Sequence, residues 1–172
     1  MVDVIFDIET TGLDPSENGK VLCISCLNVS TNELKTFFDL DEKLLLSDFW
    51  DYIKSLNNPR LFTFNGDSFD IPYIIHRSLV REVRVEKYSH IDLRKIVNSF
   101  FSSYDKKVKG NLAYWATVLG IQQKTLDGSH MISLFLDKRY DEIKEHCAED
   151  VAVAYQLYLR CKTCGLLNGN GN

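Results

Sequence analysis

Two carboxylates interrupt an otherwise apolar stretch near the start of the chain, Val4-Ile5-Phe6-Asp7-Ile8-Glu9-Thr10-Thr11-Gly12-Leu13-Asp14-Pro15. If the stretch is a strand, successive side chains alternate faces, so Asp7 and Glu9 point one way and Val4, Phe6 and Ile8 the other. Neighbouring carboxylates repel, and a covered face strips them of water, which is costly unless a cation is present. A divalent metal with oxygen ligands answers that cost. A half-exposed strand with a solvated polar side answers it equally well, and this segment alone leaves both readings open.

A second constellation lies far downstream. From Tyr140 to Gly165 the sequence reads as one helix with a polar stripe, Glu145, Glu149, Gln156 and Arg160. His146 and Asp150 stand off that stripe, four residues apart and therefore on one face, which continues into Val153 and Leu157. A His and an Asp on an apolar face need partners. Taken alone the pair reads as an internal hydrogen bond; beside Asp7 and Glu9 it becomes a candidate part of the same site. Asp70 is the remaining candidate, between a strand ending near Asn65 and a helix, where open α/β sheets carry functional groups. Its plain structural reading is helix capping.

The elements that must position these residues follow from patterning. Lys20 to Val29 is almost continuously apolar and reads as a buried strand. Ser30-Thr31-Asn32 is a turn and Glu33 to Asp39 a third strand, which completes an antiparallel meander. Between Asp41 and Leu56, Leu45, Phe49, Tyr52, Ile53 and Leu56 recur at helical spacing, and Asn57-Asn58-Pro59 stops the helix. Arg60 to Phe64 is a short strand. The next helix, capped by Asp67 or Ser68 with Pro72 in its first turn, runs to about Val80. Tyr88 to Ile91 is a fifth strand, Leu93 to Phe101 a helix, Ser102 to Gly110 a polar loop, and Asn111 to Leu119 a helix ended by Gly120. This order predicts a mixed sheet flanked by helices, with the first strand central, the fourth beside it, and Asp7 and Glu9 on a covered face.

The chain has 172 residues, 45% hydrophobic and 26% charged, which suits one globular domain over residues 1–166 and a disordered tail over 167–172. No apolar run is long enough for a membrane span. Asp3 and Asp7 stand where a signal peptide would be basic and then apolar, so an intracellular, cytoplasmic location is expected. Five scattered cysteines fit free thiols. Cys23 and Cys26 fall on opposite faces of a strand, and Cys161 and Cys164 end a helix with no third ligand nearby, so neither pair reads as a zinc site. A net charge of −4 argues against a passive nucleic-acid binder. A basic tract from Arg77 to Lys109 could follow a phosphate backbone, although solvated helix faces explain it as well. His90, Asp92 and His130 could lie near the site but read first as structural, and Trp50 and Trp115 as core.

Three stretches carry a family resemblance. Phe6-Asp7-Ile8-Glu9-Thr10-Thr11-Gly12-Leu13 resembles the first motif of the DEDD (DnaQ-like) 3′–5′ exonucleases, which have the ribonuclease H-like fold. Phe64-Asn65-Gly66-Asp67-Ser68-Phe69-Asp70-Ile71-Pro72-Tyr73 is similar to the second motif, closest to the proofreading domains of family B DNA polymerases and their stand-alone relatives. His146-Cys147-Ala148-Glu149-Asp150-Val151 resembles the third. Leu112 to Ile121 and Asp127-Gly128-Ser129 are similar to the polymerase-related group as well. The family divides by a Tyr four positions, or a His five positions, before the last Asp. Here His146 occupies the tyrosine-type position and Glu145 the other.

The resemblance implies an α/β, ribonuclease H-like mixed five-stranded sheet and a two-metal 3′–5′ exonuclease on single-stranded nucleic acid, DNA favoured over RNA, that releases 5′-mononucleotides. It further implies that Asp7, Glu9, Asp70 and Asp150 hold two divalent ions, Mg²⁺ or Mn²⁺, and that His146 orients the attacking water and takes its proton. Thr10 and Thr11 would meet the terminal 3′-OH through backbone groups, Leu13 and Phe69 would wedge against the last bases, and Asn65 would contact the strand backbone. Expected partners are single-stranded DNA or RNA 3′ ends and a polymerase or replication or repair protein. A competing reading is a catalytically weak module of the same fold that binds nucleic acid or a replication partner; four converging carboxylates argue against it.

Overall fold

The computed structural model describes residues 1–16, 18–99, 110–121 and 130–167. The opening apolar stretch forms β1 (Val2–Thr10), followed by β2 (Val21–Asn28) and β3 (Glu33–Phe37). β1 pairs antiparallel with β2, and β2 with β3, which is the expected meander. β4 (Pro59–Thr63) joins β1 in parallel, with Ile5 opposite Phe62, and β5 (Ser89–Asp92) joins β4 in parallel. The order is therefore β3-β2-β1-β4-β5, with β1 at the centre.

Helices cover both faces, and the alternation along β1 decides what each face buries. Val4, Phe6 and Ile8 pack under α1 (Glu42–Ser55) and α2 (Asp70–Val80), against Leu45, Phe49, Trp50, Tyr73 and Ile74. Ile5 and Phe62 pack on the other face with α3 (Leu93–Asn98) and the long C-terminal helix, against Leu93, Val151, Leu157 and Tyr158. The remaining helices among the described residues are α4 (Leu112–Leu119), α5 (Met131–Leu136) and α6 (Tyr140–Thr163). Asp7 and Glu9 share their face with Ile5, so it is α6 that lies over them.

The helix ends follow the capping rules in part. Asp41 caps α1, its carboxylate accepting from Lys43 N, and Asn111 caps α4, which ends at Gly120 with φ 71°. The cap expected for α2 is corrected: Phe69 holds the N-cap position without a side-chain bond, and Asp67 turns instead to His90 and Lys95. α5 was not foreseen from the sequence. Trp50 is core, with Nε1 donating to Ser78 Oγ, and Trp115 is half-buried on α4. Cys26 lies in the cluster under α1 and α2 and Cys23 in another, so the first cysteine pair is split as expected. Among the described residues no helix is long and apolar enough to cross a membrane. Most of the polar loop expected between Ser102 and Gly110, the Asp127-Gly128-Ser129 stretch and the tail beyond Leu167 lie outside the described residues.

Candidate active site

The parallel strands β1 and β4 run side by side only as far as Ile5 and Phe62. Beyond that point β4 turns away into a loop and α2, which leaves the far end of β1 open on that side. The structure brings Asp7, Glu9, Asp70, His146 and Asp150 together there. Such a crevice at the carboxyl ends of strands is where open α/β sheets place their ligands.

Glu9, His146 and Asp150 each offer a ligand atom, and these atoms all lie within 4.8 Å of one another. His146 Nδ1 is 2.6 Å from Glu9 Oε1 and 4.0 Å from Asp150 Oδ2. The register between β1 and β2 shifts between Glu9 and Thr10. Such irregularities re-aim side chains beside sites. Asp70 sits in the first turn of α2, where its own backbone N–H and that of Ile8, a group that β4 would have paired had the ladder continued, favour its charged form.

The loop that aims Asp70 is fixed from beneath. Asn65 adopts φ 73°, and its N–H donates to Asp92 Oδ1 at 2.9 Å. Asp67 N–H donates to Asp92 Oδ2 at 3.3 Å, and Arg94 N–H to Asp92 Oδ1 at 2.9 Å. Gly66 is held so closely that an added Cβ would lie 1.9 Å from Thr63 Oγ1. His90 bridges Thr63 Oγ1 and Asp67 Oδ1, both at 2.8 Å. Asp92 and His90 are therefore scaffold for the loop, and His130 occupies an exposed position just before α5.

The electrostatics are those of a crowded acidic site. Desolvation, followed by repulsion from Asp70, Asp150 and Glu9, holds the Asp7 carboxyl well above the ordinary carboxylate range. Burial, reinforced by Asp92 and Glu9, raises Asp70 to about 7, against the pull of its two backbone donors. Burial raises Asp150 to about 6, Glu9 and Glu149 adding to it and His146 opposing it. Buried carboxyls gathered this way are stabilised as anions by a hard divalent cation. The donor set fits one: carboxylate oxygens with an imidazole at hand, and no thiolate among the Glu9, His146 and Asp150 ligand atoms.

A cleft of about 400 Å³ opens beside these groups, lined by Ile8 to Thr10 at the end of β1, Thr11 to Leu13 of the β1–β2 loop, Phe69 and Ile132. Leu13 is 86% exposed, so it is not core. Phe69 is half-buried against Tyr73 yet faces the same cleft. Thr10 Oγ1 donates to Gly12 O at 2.8 Å and Thr11 Oγ1 accepts from Lys20 N–H at 3.0 Å, so both hydroxyls shape the loop. Ile132 was missed in the sequence because α5 was.

The basic tract does not act as a unit. Arg77 is fully buried, its guanidinium paired with both oxygens of Glu42 and donating to the carbonyls of Pro15 and Ser16. Arg81 also meets Glu42, and Arg84 meets Glu86. Arg94 and Lys95 alone, among the described members of the tract, flank the Asn65 loop.

Comparisons place this architecture. Residues 4–161 match the profile of the RNase_H superfamily. An uncharacterized protein of Methanocaldococcus jannaschii is 29% identical, the match covering 97% of this chain and 99% of that protein. The DNA polymerase of Autographa californica nuclear polyhedrosis virus is 25% identical over 69% of this chain, which corresponds to 15% of the polymerase. The structure of the family B DNA polymerase from the hyperthermophilic archaeon Pyrobaculum calidifontis superposes with a TM-score of 0.78 over 96% of this chain and 25% of that one, at 16% identity, a likeness of fold.

Proposed function

This chain belongs to the RNase_H superfamily, and from that premise we propose that it is a metal-dependent 3′–5′ exonuclease that hydrolyses the terminal phosphodiester of single-stranded nucleic acid to 5′-mononucleotides. The observation that carries the reading is the meeting of Asp7, Glu9, Asp70 and Asp150, from β1, α2 and α6, beside an open cleft with apolar walls. DNA is the favoured strand because the viral relatives are DNA polymerases; an exoribonuclease of the same fold is the alternative. A polymerase or another replication or repair protein is the class of partner these relatives suggest, and residues 1–166 would act as one catalytic domain.

Asp7, Glu9, Asp70 and Asp150 would hold two divalent ions, Mg²⁺ or Mn²⁺. When bound, such ions supply charge neutralisation at the phosphate and a water acidic enough to attack near neutral pH. The side chains supply the rest. Leu13 and Phe69 take the last bases between them, because apolar and aromatic contact tolerates any sequence. Backbone groups at Thr10 and Thr11 meet the terminal 3′-OH, and Asn65 meets the strand backbone. In the tautomer of His146 whose Nδ1–H donates to Glu9, Nε2 is the basic nitrogen, and it would take the proton of the attacking water. This makes the site tyrosine-type in spacing and histidine-type in chemistry.

Calorimetric titration with Mn²⁺ tests the premise. The wild type should bind, and Asp150→Asn should bind at least tenfold more weakly, about 1.4 kcal/mol. Equal affinities would contradict the assignment.

A further inference from the structure

A second groove, of about 410 Å³, lies between the β4–α2 loop and α3, with Asn65 and Ser68 on one side and Arg94, Lys95 and Asn98 on the other. Asn65 and Asp70 stand on the same loop and helix start, so the groove adjoins the carboxylate cleft through that loop. Asp92 also borders it, but its carboxylate is taken up by the N–H groups of Asn65, Asp67 and Arg94. Arg94 gives Nη1–H to Asn65 Oδ1 and has further donors in its fork. Lys95 is exposed and bonded to Asp67.

Asn98 is the unexpected member. It is only 9% exposed, and its Oδ1 is buried with no hydrogen-bond partner among the described residues. A buried amide left unpaired costs stability, and native proteins seldom keep one without a reason. Rotation of the amide exchanges its oxygen and NH₂, so the same side chain serves a ligand that donates or one that accepts.

We infer that this groove is a second nucleotide subsite for the strand whose 3′ end occupies the carboxylate cleft, with a phosphodiester against Arg94 and a hydrogen-bonding group of the nucleoside against the Asn98 amide. The inference rests on the exonuclease reading and extends it to what the chain recognises upstream of the terminal nucleotide. Two groups on a nucleoside have the required chemistry, the ribose 2′-OH and a base edge. The first exists only in RNA.

The test measures how much affinity a longer strand gains over a short one. An Asp7→Asn protein, which leaves the strand uncut, is titrated in Mn²⁺ with a 5′-labelled dinucleotide and with an oligomer of roughly eight nucleotides, each as DNA and as RNA, by fluorescence anisotropy. Adding Asn98→Leu should reduce the gain about five- to tenfold, and Arg94→Met should reduce it as well. A loss confined to RNA assigns the amide to the 2′-OH; an equal loss in both strands assigns it to a base edge. An unchanged gain in both overturns the subsite. Melting separates recognition from packing: Asn98→Leu should melt no lower than its parent, whereas a lower melting temperature with an unchanged gain makes Asn98 structural. If wild-type protein cuts oligomers but the Asp7→Asn protein shows no gain with length, only the subsite fails. If it neither cuts nor binds any strand, the exonuclease reading fails.

Discussion

Asp70 and Asp150 titrate at about 7 and about 6 because burial, more than any single neighbour, disfavours their charged forms. An unfolded Asp titrates near 3.9, so both pKa values rise on folding, and that of Asp7 rises as well. The neutral forms therefore favour the fold. Their contribution is complete below about pH 4 and is lost as pH climbs through the folded values. Asp3, Glu42 and Asp67 are shifted the opposite way and lose their contribution only below the ordinary carboxylate range, outside this window. In EDTA, the melting temperature should fall between pH 5 and 8. The increment given by Mn²⁺ should grow across the same interval, since the metal takes the deprotonated ligands. Scanning calorimetry with and without Mn²⁺ checks this, and an increment independent of pH would contradict it. His146 is the other residue-scale test. His146→Gln should lower kcat by about 10²–10⁴ while Mn²⁺ still binds. His146→Tyr should recover part of the rate with its pH optimum moved upward, because a phenol titrates near 10. Gel-based rate measurements across pH read both. At this scale much was legible: alternation alone put Asp7 and Glu9 on one face, and the four-residue step put His146 with Asp150. The contact between His146 and Glu9 spans 137 positions, and no local pattern encodes it.

At the scale of elements, the site depends on two loops held from behind. Glu42 and Arg77 form an ion pair with essentially no solvent exposure, and they bind the middle of the β1–β2 loop and the start of β2: Arg77 takes the carbonyls of Pro15 and Ser16, and Glu42 takes Val21 N–H. Arg77→Met leaves the buried Glu42 carboxylate with Arg81 as its remaining cationic partner and should cost about 3 kcal/mol, the low end for breaking a buried pair. It should also raise KM more than it lowers kcat, since the loop carries Leu13 rather than the carboxylates. Urea denaturation and steady-state rates would show both effects, and a loss of kcat alone would contradict the placement. This pair was illegible in the sequence. Arg77 reads as the first member of a basic tract, and its partner lies 35 residues earlier on another helix. α5 was missed because Met131–Leu136 is only six residues long, too short for helical periodicity to register. The expected cap on α2 failed for a related reason: a capping signal is local, and tertiary partners, His90 and Lys95, claimed the Asp67 carboxylate.

Across the whole molecule, the meander, the parallel addition of β4 and β5 and the helices on both faces agree with what patterning and turn residues announced. The strong signals were long ones: a fully buried β2, a periodic α1, and an α6 whose polar stripe excludes His146 and Asp150. The fold performs one spatial task that sequence order conceals, which is to end the β1–β4 ladder early and bring the end of β1 and the middle of α6 together at that gap. The net charge of −4 then acquires a local meaning, because several of the acidic residues are spent around one crevice rather than spread over the surface. Cleavage from the 3′ end by these carboxylates is read from a gel time course on two 5′-labelled oligomers of one sequence, DNA and RNA. Each is incubated with wild type or Asp7→Ala in Mg²⁺, in Mn²⁺ and in EDTA. A ladder that shortens from the 3′ end is expected with either metal, and it should be lost in EDTA and in the variant. Intact strands in both metals, or a ladder that persists in EDTA or in Asp7→Ala, would contradict it.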